Sequence, residues 1–377
     1  MRRSTTILPH QSRLELAAKL RQRSLRPVVE AVRRGEPADA PVVVELDVTT
    51  FCDLACPECI SGGLLNNGRF SDHKLLTLAA EMAEAGVKAV ILIGGGEPLL
   101  HPAVGRVMEI LAQRDVAIGL TTNGTQIHRY LEQIADCVLW TRVSVDAASP
   151  EIYNLFRPRR GGTRDAFSAV IANIQALADA KQGILGYSFL LMARRDAATS
   201  RILHHNFGDV ANAARLARDL GCDYIEFKPE YDLGHHLVAQ PEELRVSLRG
   251  ELSEAVALQT DSFHVIAPPH LSRVLLGEPL DQPKSYRSCP TTELRTLLTP
   301  SGAYLCPYHR GNPSARYGDP AELGFRALWD SPERRRASRR IDPSNDCGFN
   351  CIRHESNEWL LVDDDPIAVV DDYDSFI

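Results

Sequence analysis

The sequence predicts an α/β chain: six βα units that make either a partial (β/α)6 barrel or an open doubly wound sheet, followed by a smaller module. Two observations carry this. From Val42 six strand-like apolar runs alternate with amphipathic helical segments, and near residue 237 the alternation stops. Six βα units make a parallel sheet clothed in helices, with ligand chemistry at the carboxyl ends of the strands.

The elements follow in order. Before the first strand, "SRLELAAKLRQRSLRPVVEAVRRG" spaces its apolar residues as a helix does, with arginines on the other face, and "EPADAP" reads as a linker. The strands are "PVVVELDVTT", "VKAVILIGGG", "VAIGLTTNG", "VLWTRVSVDA", "GILGYSFLLM" and "DYIEFKPE". Helical segments such as "KLLTLAAEMAEAG" and "VANAARLARDLG" end in glycine, a helix C-terminal signal. A helix over 241–258 and a hairpin turning at Pro300-Ser301-Gly302 come next, then the basic helix face "ERRRASRR". The acidic tail "DDDPIAVVDDYDSF" is suited to pair with the basic N-terminal segment.

Composition narrows the function. With 44% apolar and 24% charged residues the 377-residue chain is globular, and a net charge of −7 argues against nucleic acid as a partner. No window approaches the roughly 18 apolar residues of a membrane span. "MRRSTTILPH" lacks the apolar run of a secretory signal, so a cytoplasmic location is expected. Nine cysteines in a reducing compartment then point to metal or redox chemistry and not to disulfides.

Side chains alternate faces along a strand, which places Glu45, Asp47 and Thr49 together, likewise Arg142, Ser144 and Asp146, and likewise Glu226 and Lys228. Helices cover the apolar face, so these polar rows look inward, onto what reads as a lined cavity. Glu226 and Lys228 are the candidate proton acceptors, with a simple salt pair as the alternative.

At the carboxyl end of the first strand Cys52, Cys56 and Cys59 sit on a loop containing Pro and Gly. Three thiols can wrap one metal centre and leave a coordination position open. A structural zinc would need a fourth ligand, for which His73 is the local candidate. This loop resembles the CxxxCxxC loop of the radical SAM superfamily. The resemblance extends along the barrel: Gly94, Gly95, Gly96, Glu97 and Pro98 are similar to the family's segment that holds the amino group of S-adenosylmethionine. Asn123, Ser144 and Asp146 resemble residues bordering the cofactor and its ribose, and Arg157 resembles an arginine that pairs its carboxylate. One departure is Glu58, where the family usually has an aromatic residue.

The resemblance implies the partial (β/α)6 TIM-like barrel, a 4Fe-4S cluster on the three thiols, and cleavage of S-adenosylmethionine to a 5′-deoxyadenosyl radical. A flavodoxin or ferredoxin is the implied electron donor. Cys289, Cys306, Cys347 and Cys351 resemble the ligands of a short SPASM, or twitch, module with one auxiliary 4Fe-4S cluster, a zinc ribbon being the alternative. The spacings depart slightly, with three residues between Gly302 and Cys306 and three between Cys347 and Cys351. Cys137 and Cys222 fall at strand starts, away from the chemistry, and read as small buried hydrophobes.

The organisation expected is a basic helical extension (1–40), the barrel (41–237), a connecting segment (238–288), the twitch-like module (289–360) and an acidic tail (361–377). The reaction expected is two-electron oxidation of a small polar metabolite, an amino sugar, nucleoside or related natural-product intermediate. The alternatives are a peptide maturase, or a decarboxylase, dehydratase or epimerase on the same scaffold. The maturase ranks second because about 40 residues before the first strand are few for a leader-binding domain.

Overall fold

Each of the six apolar runs folds as a strand: β1 (Val43–Asp47), β2 (Ala89–Ile93), β3 (Ala117–Thr122), β4 (Trp140–Ser144), β5 (Ile184–Leu191) and, after a small hairpin of β6 (Ala193–Arg195) with β7 (Ile202–His205), β8 (Tyr224–Pro229). The computed structural model describes residues 16–161, 166–196, 198–362 and 370–377. Residues 1–15 of the basic extension and 363–369 of the acidic tail therefore lie outside the described residues. Neighbouring strands pair in parallel from β1 through β5 to β8, the arrangement of a partial TIM-like barrel.

The sheet runs further than the six runs predict. β9 (His264–Ile266) adds parallel to β8, and β10 (Arg295–Thr299) adds parallel to the free edge of β1. β10 is the first strand of the predicted hairpin; β11 (Gly302–Tyr304) and β12 (Arg316–Gly318) continue from it antiparallel. The ten-stranded sheet thus ends on β12 and β9. Three residues are too few for β9 to show a period of two, and a local pattern cannot reveal that β10 docks on β1.

The alternation of faces explains the core. Val143, Val145, Ile225 and Phe227 are fully buried on the outer face, in one apolar core with the buried residues of helices such as Asp72–Glu84 and Ala166–Ala180. Ser71 caps the first of these by accepting from Lys74 N at 3.2 Å, and Gly86, at φ 91°, ends it in a conformation that costs other residues dearly. Cys222 lies in this core and Cys137 packs against it, as small hydrophobes would.

At the amino end of the strands a second apolar cluster joins both ends of the chain. Leu20, Leu25, Val29 and Val32 pack with Trp359, Leu360, Phe376 and Ile377. Lys19 Nζ lies 2.9 Å from Asp374 Oδ1 and Arg23 pairs with Asp371, so the tail does meet the basic segment. Among the described residues no helix is long and apolar enough to cross a membrane.

Phe227 is fully buried and its ring lies 5.4 Å from that of Phe189. Phe227→Ala should cost about 3–5 kcal/mol of stability, read as a lower denaturation midpoint in urea; an unchanged midpoint would show that this face is not packed as described.

Candidate functional site

The loop after β1 places Cys52, Cys56 and Cys59 at the carboxyl end of the sheet, each half-buried. Backbone contacts fix it from two sides. Ala55 N donates to Pro158 O at 2.8 Å and Arg160 N to Asp53 O at 2.8 Å, which docks the loop on the segment after Arg157. On the other side Glu97 N donates to Phe51 O at 2.8 Å. A Cβ on Gly96 would stand 2.3 Å from Phe51 O and one on Gly94 2.3 Å from Gly96 O, so only glycine allows this approach. Gly95 is less tightly placed, since a Cβ there would stand 3.5 Å from Asp47 Oδ2, an ordinary contact.

Glu97 precedes a turn opened by Pro98 and is buried, accepting from Leu99 N, Thr122 Oγ1 and Asn123 N. Burial pushes its carboxyl up to about 7 against the pull of these donors. Asn123 in turn donates to Asp53 Oδ1 at 2.9 Å, with its Nδ2 4.0 Å from Cys52 Sγ. Thr125 Oγ1 donates to Asp53 Oδ2 at 2.8 Å. Asp53 and Thr125 are thus structural partners of the thiol loop that the sequence reading missed, although their place beside Cys52 and Asn123 was a signal.

Asp146 and Arg157, both read as cofactor contacts, pair with each other, Arg157 Nε donating to Asp146 Oδ2 at 2.6 Å. Asp146 also accepts from Leu190 N at 2.7 Å and lies at φ 62°, a strained conformation for a non-glycine residue. Ser144 ends β4, half-buried, in register with Ser188. Glu58 faces Arg194, at 3.5 Å.

The inward polar rows do not open onto a simple cavity; ion pairs span them. Glu45 lies between Arg295 and Arg353, the latter at 3.0 Å, and Asp47 accepts from Arg310 Nε at 2.7 Å and Nη2 at 2.9 Å. Glu226 accepts from Arg142 Nη1 at 2.9 Å. Burial raises the Glu226 carboxyl but Arg142 and Lys228 more than offset it, leaving it below the ordinary carboxylate range. Lys228, half-buried above it, is pushed below the ordinary lysine value by burial, against the pull of Glu226. Of the two predicted proton acceptors, Lys228 has the environment of a base and Glu226 that of a held counter-ion.

Four more thiols belong to the C-terminal part of the chain. Cys289, Cys306, Cys347 and Cys351 come from three separate segments, yet the charges of Cys289 and Cys351 reach both Cys306 and Cys347. Burial first, and these neighbours next, push the Cys347 thiol up to about 12 and the Cys306 thiol higher still. In the first loop burial likewise pushes Cys52 up to about 12 and Cys56 up to about 11. Among the described residues no three acidic, His or Cys side chains stand in coordinating positions, and the thiols are free. Two sets of half-buried thiols, three and four in number, nonetheless have the donor chemistry of iron-sulfur centres, which would hold them as thiolates.

Between the two thiol groups lies a cavity of about 320 Å³. Ile60 and Ser61 line it from the first loop, His235 from the segment after β8, and Tyr308, His309 and Phe349 from the C-terminal part. Tyr308 and Phe349 stack there with ring centres 4.8 Å apart, and His235 meets Tyr308 edge-on at 5.1 Å.

The chain resembles known proteins over much of its length. Residues 46–194 match the Radical SAM superfamily. The chain is 25% identical over 334 residues to the mycofactocin maturase MftC of Mycobacterium ulcerans, covering 84% of this chain and 82% of that one. A probable GTP 3′,8-cyclase of Methanocaldococcus jannaschii is 30% identical over 192 residues, 49% of this chain and 59% of its own. In fold the chain is similar to Streptococcus suis SuiB bound to its precursor peptide SuiA, with a TM-score of 0.58, 12% identity, and 82% and 70% of the two chains covered. It is also similar to anSMEcpe with bound AdoMet, at a TM-score of 0.57 and 15% identity over 78% of this chain and 82% of that one.

Arg310→Met would leave the Asp47 carboxylate, only 1% exposed, without its partner. A loss of about 3–5 kcal/mol is expected in urea unfolding of the cofactor-free protein, and Asp47→Asn in the same chain should restore part of it. Additive losses would show that the two side chains do not depend on each other.

Proposed function

From the premise that residues 46–194 are a Radical SAM superfamily domain, in an enzyme whose family uses S-adenosylmethionine and a 4Fe-4S cluster, we propose that the protein modifies a precursor peptide. One observation carries the choice of a peptide over a small polar metabolite. Likeness to the mycofactocin maturase spans 84% of the chain, whereas likeness to the small-molecule cyclase stops at 49%. The folds of SuiB, solved with its precursor peptide, and of anSMEcpe, solved with a peptide, support the same reading.

In this reading Cys52, Cys56 and Cys59 hold the first cluster, and Cys289, Cys306, Cys347 and Cys351 hold an auxiliary one. Gly94, Gly95, Gly96, Glu97 and Pro98 offer backbone groups to the methionyl part of S-adenosylmethionine, with Asn123, Ser144, Asp146 and Arg157 around the rest. When bound, these groups supply a carbon radical able to take a hydrogen atom from an unactivated carbon, and a second centre able to accept an electron.

The chain's own share is placement and proton handling. Gly94 lets the chain turn tightly onto Gly96, and Gly96 brings that backbone against Phe51, which fixes the cofactor segment to the thiol loop. The Asp146–Arg157 pair is buried, so it can orient a polar ligand without competition from water. Lys228 accepts the proton that a two-electron oxidation releases, while Glu226, tied to Arg142, stabilises the resulting ammonium.

Anaerobic reconstitution tests the whole reading. About eight irons should bind the wild type and about four a Cys52/Cys56/Cys59→Ala variant. With a reductant and peptides encoded beside its gene, the wild type alone should release 5′-deoxyadenosine and leave one peptide lighter by its abstracted hydrogens. Deoxyadenosine formed with nucleosides or amino sugars but with no peptide would overturn the peptide assignment.

Lys228→Met should slow peptide oxidation by about 10²–10⁴-fold while deoxyadenosine is still released. Product formed at the wild-type rate by this variant would remove Lys228 from the proton step.

A further inference from the structure

His309 stands where the second thiol group meets the cavity. Its ring is buried, lines the 320 Å³ cavity, and lies edge-on to Phe349 with ring centres 5.8 Å apart. Its Nε2 is 3.4 Å from Cys347 Sγ, and its Nδ1 is 3.2 Å from Asn312 Nδ2. The orientation of that amide is fixed from its other end, because Asn312 Oδ1 accepts from Ser314 N at 2.9 Å. An amide nitrogen only donates, so Nδ1 of His309 is the acceptor. In the neutral ring the proton then sits on Nε2 and points at the sulfur. The backbone holds the ring in place, His309 N donating to Cys306 O at 3.1 Å.

A second thiol of the group, Cys289, has different company. Cys289 Sγ is 3.3 Å from Thr291 Oγ1 and 3.5 Å from Asn357 Oδ1, groups that belong to the packed side of the module. His309 touches both a thiol of this group and the cavity beside the first loop.

We propose that His309 is a positioning residue for the auxiliary centre: its Nε2–H···Sγ hydrogen bond to Cys347 raises the reduction potential of the cluster. Hydrogen bonds to a ligand sulfur withdraw its electron density and raise the potential of the centre. The assignment rests on the reading of Cys289, Cys306, Cys347 and Cys351 as cluster ligands.

The test uses the full chain with Cys52, Cys56 and Cys59 replaced by alanine, so that one cluster remains, and reads its potential by redox titration followed by electron paramagnetic resonance. His309→Leu, which lacks the donor, should keep its iron and shift to lower potential. His309→Gln, which retains an N–H at similar reach, should shift less. An unmoved potential in His309→Leu at full iron content, or iron lost equally from both variants, would overturn the assignment. A parent chain that binds no iron would overturn the auxiliary cluster itself, an outcome that iron analysis separates from the other two before any potential is measured.

Discussion

Two carboxylates on β1 constrain the rest of the structure. Glu45 and Asp47 point into the sheet interior, where an uncompensated charge would cost several kcal/mol, and each is neutralised from the C-terminal part of the chain. Arg295 on β10 and Arg353, two residues after Cys351, hold Glu45; Arg310, four residues after Cys306, holds Asp47 with two nitrogens. β1 leads directly into the loop of Cys52, Cys56 and Cys59. The same ion pairs that permit a polar strand at the centre of the sheet therefore fix the distance between the two groups of thiols.

A second chain of contacts sets the first loop relative to the strands beside it. Gly96 lies against Phe51, Glu97 receives the backbone and hydroxyl donors at the end of β3, and Asn123 and Thr125 from that same end grip Asp53. Each contact joins the ends of different strands. The loop is consequently held by three neighbouring strand termini and not by its own sequence, which is short of regular structure and rich in half-buried thiols.

Local pattern carried much of this architecture. The strands from β1 to β5 and β8 were legible because a period of two and an apolar outer face are properties of a few consecutive residues, and the three-cysteine loop was legible as a spacing. What escaped was long-range. The partners of Glu45 lie 250 and 308 residues away and that of Asp47 263, so the polar rows read as a lined cavity and not as a set of ion pairs. β10 read as half of a hairpin, which it is, but nothing local shows that its other edge completes β1. Glu226 and Lys228 were both legible as inward-facing; only the position of Arg142 separates a held carboxylate from a lysine beneath the mouth.

The barrel interior is filled in layers, and this decides where chemistry can occur. At the bottom Phe376 from the chain terminus meets Trp140 edge-on, their ring centres 5.4 Å apart. Trp140 and Tyr224 enter the interior because the residues beside them in register are Gly119 and Gly186, where a Cβ would stand 2.2 Å and 2.0 Å from the two rings. The Arg142 guanidinium lies 5.4 Å above the Trp140 ring and carries Glu226 on its other side. Aromatic rings, then an ion pair, then Lys228 fill this side of the interior from the amino ends of the strands upward. Such a stack closes this side of the interior from below and leaves Lys228 facing the carboxyl ends. The loop of Cys52, Cys56 and Cys59 stands there, and Ile60 and Ser61 carry it to the cavity that Tyr308, His309 and Phe349 line from the C-terminal part.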